Sequence, residues 1–294
     1  METSSKNTIL VPVDFSEIAD FAVHHAVSVA KHFNNNIALL HVLDDSFFSG
    51  MFSFGKNEKQ EELAKEAVAA RMQKLADEIE MAHNIRCSIN IRSGKIYTMI
   101  AEVAQELKCD SIIMGSHGAS GMGRIIGSNS SRTIIESKVP VVVVKSTHPS
   151  NGYKNIIFPL DLTLESRQKT KWAIHLGKSY QATIRIFTFK TNDEILDNKI
   201  TGSLHQVENM LNENGVAYTI HVKDKLEGDF ATETIRYSEE VNGDLMMIMT
   251  QTEDKDFVEL IFGTYAQQIV NASQKIPVMC INPNKTGIVG GWGY

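Results

Sequence analysis

"TILVPVDFSE" (residues 8–17) and "NIIFPLDLTLE" (residues 155–165) are two versions of one segment: a short apolar run, a proline, one more apolar residue, an aspartate and then a hydroxyl or acidic side chain. The match puts Pro12 on Pro159 and Asp14 on Asp161 at an offset of 147. The same offset sets Ala26 on Ala173, Ala30 on Gly177, Lys31 on Lys178, Phe33 on Tyr180 and Val42 on Phe189. Nearer the ends, "IGSNSSRTIIESKVPVVVV" (126–144) answers "FGTYAQQIVNASQKIPVMCI" (262–281), with Pro140 over Pro277. Self-similarity at a fixed period marks a repeated structural unit. The chain reads as a tandem duplication, with domains at 1–148 and 149–294 and the seam in "KSTHPSNGYK" (145–154), whose Ser, Pro, Asn and Gly suit a linker.

Outward from the first segment, apolar runs alternate with helical patterns. Residues 9–13 form a short continuous apolar run, and Ser16 is a suitable N-cap for a helix reaching about Phe33. Residues 37–42 give a second strand. From Glu58 to His83, Leu63, Ala67, Met72, Leu75, Ile79 and Ala82 recur at helical spacing with charges opposite. A strand at 87–91, a helix carrying Ile96, Ile100, Val103, Ala104 and Leu107, a strand at 111–115, a helix opening near Ser128 and a strand at 139–144 complete the first copy. The second repeats this plan with a shorter link and helix between its second and third strands. Continuous apolar strands separated by helices imply a sheet buried on both faces, hence parallel, with right-handed crossovers. The fold class is α/β, with two tandem doubly wound domains.

Composition narrows the function. The chain has 294 residues, 43% hydrophobic and 22% charged, and a net charge of −6, which argues against the concentrated basic surface that nucleic-acid binding needs. Three cysteines without CxxC spacing suggest neither a disulfide framework nor a zinc site, and Cys87, Cys109 and Cys280 read as buried, reduced core residues. The start lacks the basic and apolar regions of a signal peptide, and no apolar stretch has the length of a membrane span. A cytoplasmic protein without membrane or nucleic-acid partners is expected.

The stretch "IIMGSHGASGMGRIIGSNSSRTII" (112–135) follows the fourth strand and precedes a helix, so it lies at the carboxyl end of the sheet, where such folds bind ligands. Gly115, Gly118 and Gly127 are expected to take positive φ and admit an anion, helped by helix N–H groups near Ser128 and Asn129 and by the hydroxyls of Ser128 and Ser130. A plain Gly/Ser connector is the competing reading. A Walker A loop fails, because Gly123 is followed by Arg124 and Ile125; a dinucleotide fingerprint fails, because it belongs after the first strand.

Together, "ILVPVDFSE", "LLHV" at the end of strand two and "MGSHGASGMGRIIGSNS" after strand four resemble the universal stress protein family, over nearly the whole chain as two fused domains. The resemblance implies a five-stranded parallel sheet in the order 3-2-1-4-5 in each domain. In the nucleotide-binding branch it also implies an ATP site marked G-x2-G-x9-G-[ST]. Carried over by residue, Pro12, Val13 and Asp14 close one side, with Asp14 accepting from the ribose hydroxyls and Val13 and Val42 beside the adenine. Met114 and Gly115 would line the nucleotide, and Gly118, Gly127, Ser128 and Asn129 would hold the phosphates. The ligand would be ATP, or AMP or ADP, with Mg2+ as its companion. Two departures stand out. Eight residues, not nine, separate Gly118 from Gly127. In the second copy, Thr250 and Glu253 stand where the first two glycines belong, and Phe189 replaces Val42. The second domain is therefore expected to be degenerate and not to bind nucleotide, with Asp161 left to stabilise its turn.

His117 lies inside the loop and is expected to serve a hydrogen-bonding or conformational role ahead of phosphate contact; His24, His25 and His32 read as surface or boundary residues. The aromatic stretch 44–57 and the tail "NKTGIVGGWGY" (284–294) offer an alternative function, a scaffold that recruits partners without nucleotide. Apolar last strands need covering, and the resemblance implies that Val141–Val144 pairs antiparallel with Val278–Ile281 in an intramolecular pseudo-dimer, with homo-oligomers also open. An adenylating pyrophosphatase would need an SGGxDS-type loop after strand one, which "PVDFSE" lacks. With no base or nucleophile placed, the expected role is a stress-response regulator, hydrolysing ATP slowly if at all.

Overall fold

The computed structural model describes residues 7–44, 58–117, 126–146, 152–163, 165–250 and 264–283. The aromatic stretch 45–57, Gly118, residues 251–263 with Glu253, the seam 147–151 and the tail 284–294 lie outside the described residues. The chain divides into two compact units, residues 1–122 with 127–150, and residues 151–294 with 123–126.

The first unit runs β1 (Thr8–Pro12), α1 (Glu17–Phe33), β2 (Asn36–Leu43), α2 (Glu58–His83), β3 (Cys87–Ser93), α3 (Ile96–Glu106), β4 (Ser111–Gly115), α4 (Ser128–Glu136) and β5 (Val141–Val144). Its sheet has the order β3-β2-β1-β4-β5 with every pair parallel. Ile9, Leu10 and Val11 of β1 are completely buried, as a central strand covered on both faces requires. The α1 helix starts where Ser16 Oγ accepts from the Ala19 N–H, and Glu17 and Asp20 favour the positive end of its dipole. It buries a stripe of Ala19, Ala22, Val23, Ala26, Val27 and Ala30, small enough to lie close on the sheet. His25 is buried in this stripe, unlike the surface or boundary position expected. The helix stops at Asn34, whose φ of 56° is left-handed.

The second unit runs β6 (Asn155–Pro159), a 3₁₀ turn (Glu165–Arg167), α5 (Thr170–Tyr180), β7 (Thr183–Phe189), α6 (Glu194–Glu213), β8 (Tyr218–Lys223), α7 (Phe230–Glu240), β9 (Leu245–Met249), α8 (Thr264–Ala272) and β10 (Val278–Ile281). Its own strands follow the order β8-β7-β6-β9-β10, again parallel throughout. Gln181, with φ of 54°, ends α5 as Asn34 ends α1.

Strand register fixes which residues correspond. Ile9 lies opposite Ser111, and Ile156 opposite Leu245, so β4 maps onto β9 with Gly115 at the place of Met249 and Ser116 at that of Thr250. The sequence expectation that Thr250 replaces the first glycine is one residue out of register.

Cys109 and Cys280 are buried, whereas Cys87 is only half-buried. Burial, with Glu80 and Asp77 adding to it, pushes the Cys87 thiol up to about 12, so it stays protonated at neutral pH. Among the described residues, no helix is long and apolar enough to cross a membrane.

Candidate functional site

In the first unit, β1 and β4 are neighbours whose crossovers lead to opposite edges of the sheet, the switch point at which open α/β sheets leave a crevice. Pro12 ends the β1 ladder, because it has no N–H, and Val13 N donates to Leu40 O at 2.8 Å to hold the next residue in line. Asp14 then turns the chain. Its Oδ1 accepts from both the N–H (3.1 Å) and the hydroxyl (2.6 Å) of Ser16. The carboxylate is thereby oriented by the residue that caps α1. Phe15 sits in the left-handed region (φ 63°), stacked on His41 and covered by the Arg71 guanidinium at 4.0 Å. His41 Nδ1 donates to Val13 O at 2.6 Å, tying the turn to β2.

On the β4 side, the expected positive φ is absent: Gly115 is in extended strand and Gly127 has φ of −65°. Gly115 is needed for a different reason. A Cβ there would fall 2.7 Å from Ile18 Cγ2 and 3.2 Å from Ile18 O, so glycine lets the first turn of α1 lie against β4. Gly127 is the N-cap of α4; its N–H donates to Ser116 O at 2.9 Å, which returns the chain to the strand end. Gly127 has no side chain with which to cap α4, so the N–H groups of the first turn, those of Ser128, Asn129 and Ser130, are directed out of the helix. The Ser130 hydroxyl, expected to face a ligand, instead donates to Gly115 O at 3.2 Å.

These elements enclose a cavity of about 100 Å³. Leu40, Val42, Ile96, Ile100 and Met114 make it apolar, while Asp14 on one side and His117 and Asn129 on the other supply polar groups. Of the expected site residues, Pro12, Val13, Asp14, Val42, Met114, Gly115 and Asn129 line it. Gly127 and Ser128 start the adjoining helix, and Gly118 lies outside the described residues. Sequence reasoning missed Ile96 and Ile100, which come from α3; their helical periodicity marked them only as core. His117 holds Ser116 Oγ at 2.8 Å through Nδ1, while its Nε2 is buried with no hydrogen-bond partner among the described residues. Burial, and then the charge of Lys145, lower its pKa, and burial pushes the Lys145 amine down to about 8. Among the described residues no group of three or more His, Cys, Asp and Glu is placed to hold a metal.

The second unit keeps the frame and fills the space. Asp161 Oδ1 accepts from Thr163 N (2.8 Å) and Oγ1 (2.6 Å), the same turn as at Asp14. At the places of Leu40, Val42 and Ile96 stand Phe187, Phe189 and Phe230, whose rings are in contact: Phe187 stacks on Phe230 at 5.5 Å, and Phe189 meets Phe230 tilted at 4.9 Å. Tyr265, at the start of α8, adds its ring to Phe230 at 5.3 Å. Lys169, 2% exposed, sends Nζ to Pro159 O (2.7 Å) and Ser166 Oγ (2.9 Å) beneath the turn.

Residues 6–145 match the universal stress protein family. The universal stress protein MJ0531 of Methanocaldococcus jannaschii is 33% identical over 141 residues, which cover 47% of this chain and 81% of that protein. Universal stress protein G of Shigella flexneri is 31% identical over 140 residues, 47% of this chain and 97% of its own. The crystal structure of a universal stress protein from Archaeoglobus fulgidus shares the fold, with a TM-score of 0.75 at 19% identity, over 95% of this chain and 97% of that one. With the family match spanning residues 6–145 and relatives of 31–33% identity covered over 81–97% of their length, the chain belongs to the universal stress protein family.

Proposed function

We propose that the first unit binds an adenine nucleotide, ATP, ADP or AMP, and that the protein acts as a ligand-dependent stress-response regulator rather than a fast enzyme. The observation that carries this reading is a crevice in which an apolar cavity meets an oriented carboxylate, Asp14, and a helix start at Ser128 and Asn129 whose N-cap is a glycine. A purine has two apolar faces suited to walls such as Val13, Val42 and Ile96; ribose hydroxyls donate to a carboxylate; phosphates accept from helix N–H groups. Gly118 and Gly127 complete the phosphate side, and Mg2+ would arrive with the nucleotide rather than in a protein cage. The second unit, with aromatic rings at the equivalent positions, is proposed not to bind nucleotide. Ligand binding would shift the population of a partner-facing surface.

Mass spectrometry of the denatured protein should release a copurified adenine nucleotide, and calorimetry should show one site per chain. Asp14→Ala should weaken ATP binding about 10- to 100-fold, the range for losing a charge-assisted hydrogen bond. Gly118→Glu should abolish it. Undiminished heats in both variants would remove the site from this crevice.

A further inference from the structure

We propose that His117 is a phosphate ligand of this site, its Nε2 donating to an anionic phosphate oxygen and its imidazole taking up one solvent proton as the ligand enters. The inference rests on the nucleotide reading above and assigns its pH regulation. Three observations carry it. His117 lines the cavity together with Asn129, and its Cα would lie 3.7 Å from a Cβ on Gly127, the N-cap of α4. Its Nδ1 is committed to Ser116 Oγ, and Ser116 is itself fully buried with its N–H on Val144 O, so the ring is held by its backbone neighbour. Its Nε2 is a buried polar atom with no partner among the described residues. Buried polar atoms are nearly always hydrogen-bonded, so one left over on a residue that lines the cavity marks the place of a missing partner.

The charge environment decides which partner. Burial, and then the charge of Lys145 just after β5, lower the pKa of the free imidazole, while Asp14 lines the same cavity as its negative group. The α4 N-terminus adds partial positive charge. A further cation is therefore disfavoured here and an anion favoured. When Nδ1–H donates to the Ser116 hydroxyl oxygen, Nε2 of the neutral ring is a bare lone pair that repels a phosphate oxygen. Protonation from solvent forms the Nε2–H bond and turns this contact into a charge-assisted hydrogen bond. No other bond forms or breaks.

Linkage fixes the sign. A bound anion raises the imidazole pKa from its lowered free value, so the complex holds more protons than the free protein between the two pKa values. Affinity then rises as pH falls through that window and levels off below the free pKa, by at most about tenfold per pH unit for one linked proton.

The test is a titration of the His117 ring by NMR in the full chain, alone, with AMP and with adenosine, the resonance being assigned by its loss in His117→Gln. The pKa should rise by about one unit or more with AMP and stay put with adenosine. In parallel, calorimetry from pH 8 to pH 5.5 compares wild type with His117→Gln, whose amide keeps a donor near the Nε2 position but does not titrate. Because the AMP phosphate titrates equally in both, the ratio of the two affinities isolates the histidine, and it should grow as pH falls. An unmoved His117 pKa with AMP, or a flat ratio, overturns the assignment and leaves the nucleotide reading standing. An equal response to adenosine also overturns it, by moving the contact to the nucleoside. Failure of wild type to bind AMP or ATP at any pH overturns the nucleotide reading, and this inference with it.

Discussion

The two units meet the same problem at the carboxyl end of β1 and of β6 in opposite ways. Around the first crevice stand Leu40, Val42 and Ile96, and a cavity remains between them. Around the second stand Phe187, Phe189 and Phe230, whose rings are in contact with one another and with that of Tyr265. Strand order, the carboxylate turn and the left-handed helix ends are common to both. The two units thus share a frame and differ in the side chains that stand at its strand ends. Each stacked aromatic pair contributes about 0.5–1.5 kcal/mol beyond its buried area, so these rings add packing energy to the second unit.

The contrast breaks most directly at Phe187, which is fully buried and stacks on His221, Phe230 and Tyr237. Phe187→Ala should cost the second unit about 3–5 kcal/mol, the range for emptying a packed aromatic site. Urea unfolding followed through Trp172, which lies buried in α5, reads this out. A loss under about 1 kcal/mol would mean that the rings do not fill a true core.

Lys169 gives the next largest effect. Ala22 holds the corresponding place in α1, so the lysine is an addition peculiar to the second unit. Burial pushes its amine down to about 8, against the opposing pull of Asp161. The unfolded chain, with an ordinary lysine, binds more protons than the native one between about 8 and about 10.4, so this group makes stability rise with pH across that window. Below pH 8 the native charge carries a penalty on the order of 3 kcal/mol. Relative to Lys169→Met, wild-type stability should therefore climb between pH 7.5 and pH 10; parallel pH profiles would show that the amine is not held in an unfavourable site.

Transplanting the second unit's answer into the first sharpens the comparison. Val42→Phe with Ile96→Phe places two rings at half-buried positions of the cavity wall. ATP affinity should drop at least about 100-fold, equivalent to about 2.7 kcal/mol, with thermal stability maintained. Retained affinity in a folded double variant would show that the nucleotide lies elsewhere.

Much of this was legible in the sequence because strands and helices carry their own periodicity. Glu58–His83 and Ser111–Gly115 were bounded from pattern alone, and the repeat of Pro12 and Asp14 at Pro159 and Asp161 exposed the duplication. The filling of the second crevice was half visible, through Phe189 at the place of Val42. Phe230 was hidden because its helix lies at an offset of 134 rather than 147, and strand register restores the match; Tyr265 falls on Asn129 in the matched segments 126–144 and 262–281, but its ring contact with Phe230 is a property of the packing. The orphaned Nε2 of His117 was equally invisible, since a hydrogen-bond shortfall is a property of three-dimensional packing. Gly115 was read for the right place and the wrong reason: sequence suggested a backbone freed for an anion, whereas its missing Cβ makes room for Ile18.

That reason is itself testable, and it bears on why the second unit can carry Met249 where the first needs glycine. In the first unit α1 begins at Glu17 and its first turn lies on β4, so an added Cβ meets both a side chain, at 2.7 Å, and the Ile18 carbonyl, at 3.2 Å. The side chain can rotate; the backbone oxygen of a capped helix cannot move alone. In the second unit the corresponding stretch is the 3₁₀ turn Glu165–Arg167, and α5 starts only at Thr170, which leaves Met249 accommodated and buried. Gly115→Ala should therefore destabilise the first unit by about 1–3 kcal/mol through overpacking. Gly127→Ala, whose Cβ would meet nothing closer than 3.4 Å at negative φ, should cost less than about 1 kcal/mol. Trimming Ile18 to alanine in the Gly115→Ala background should recover only the part due to the side chain. Full recovery would show that the helix start is free to shift, and that Met249 marks drift in sequence rather than a different path of the chain.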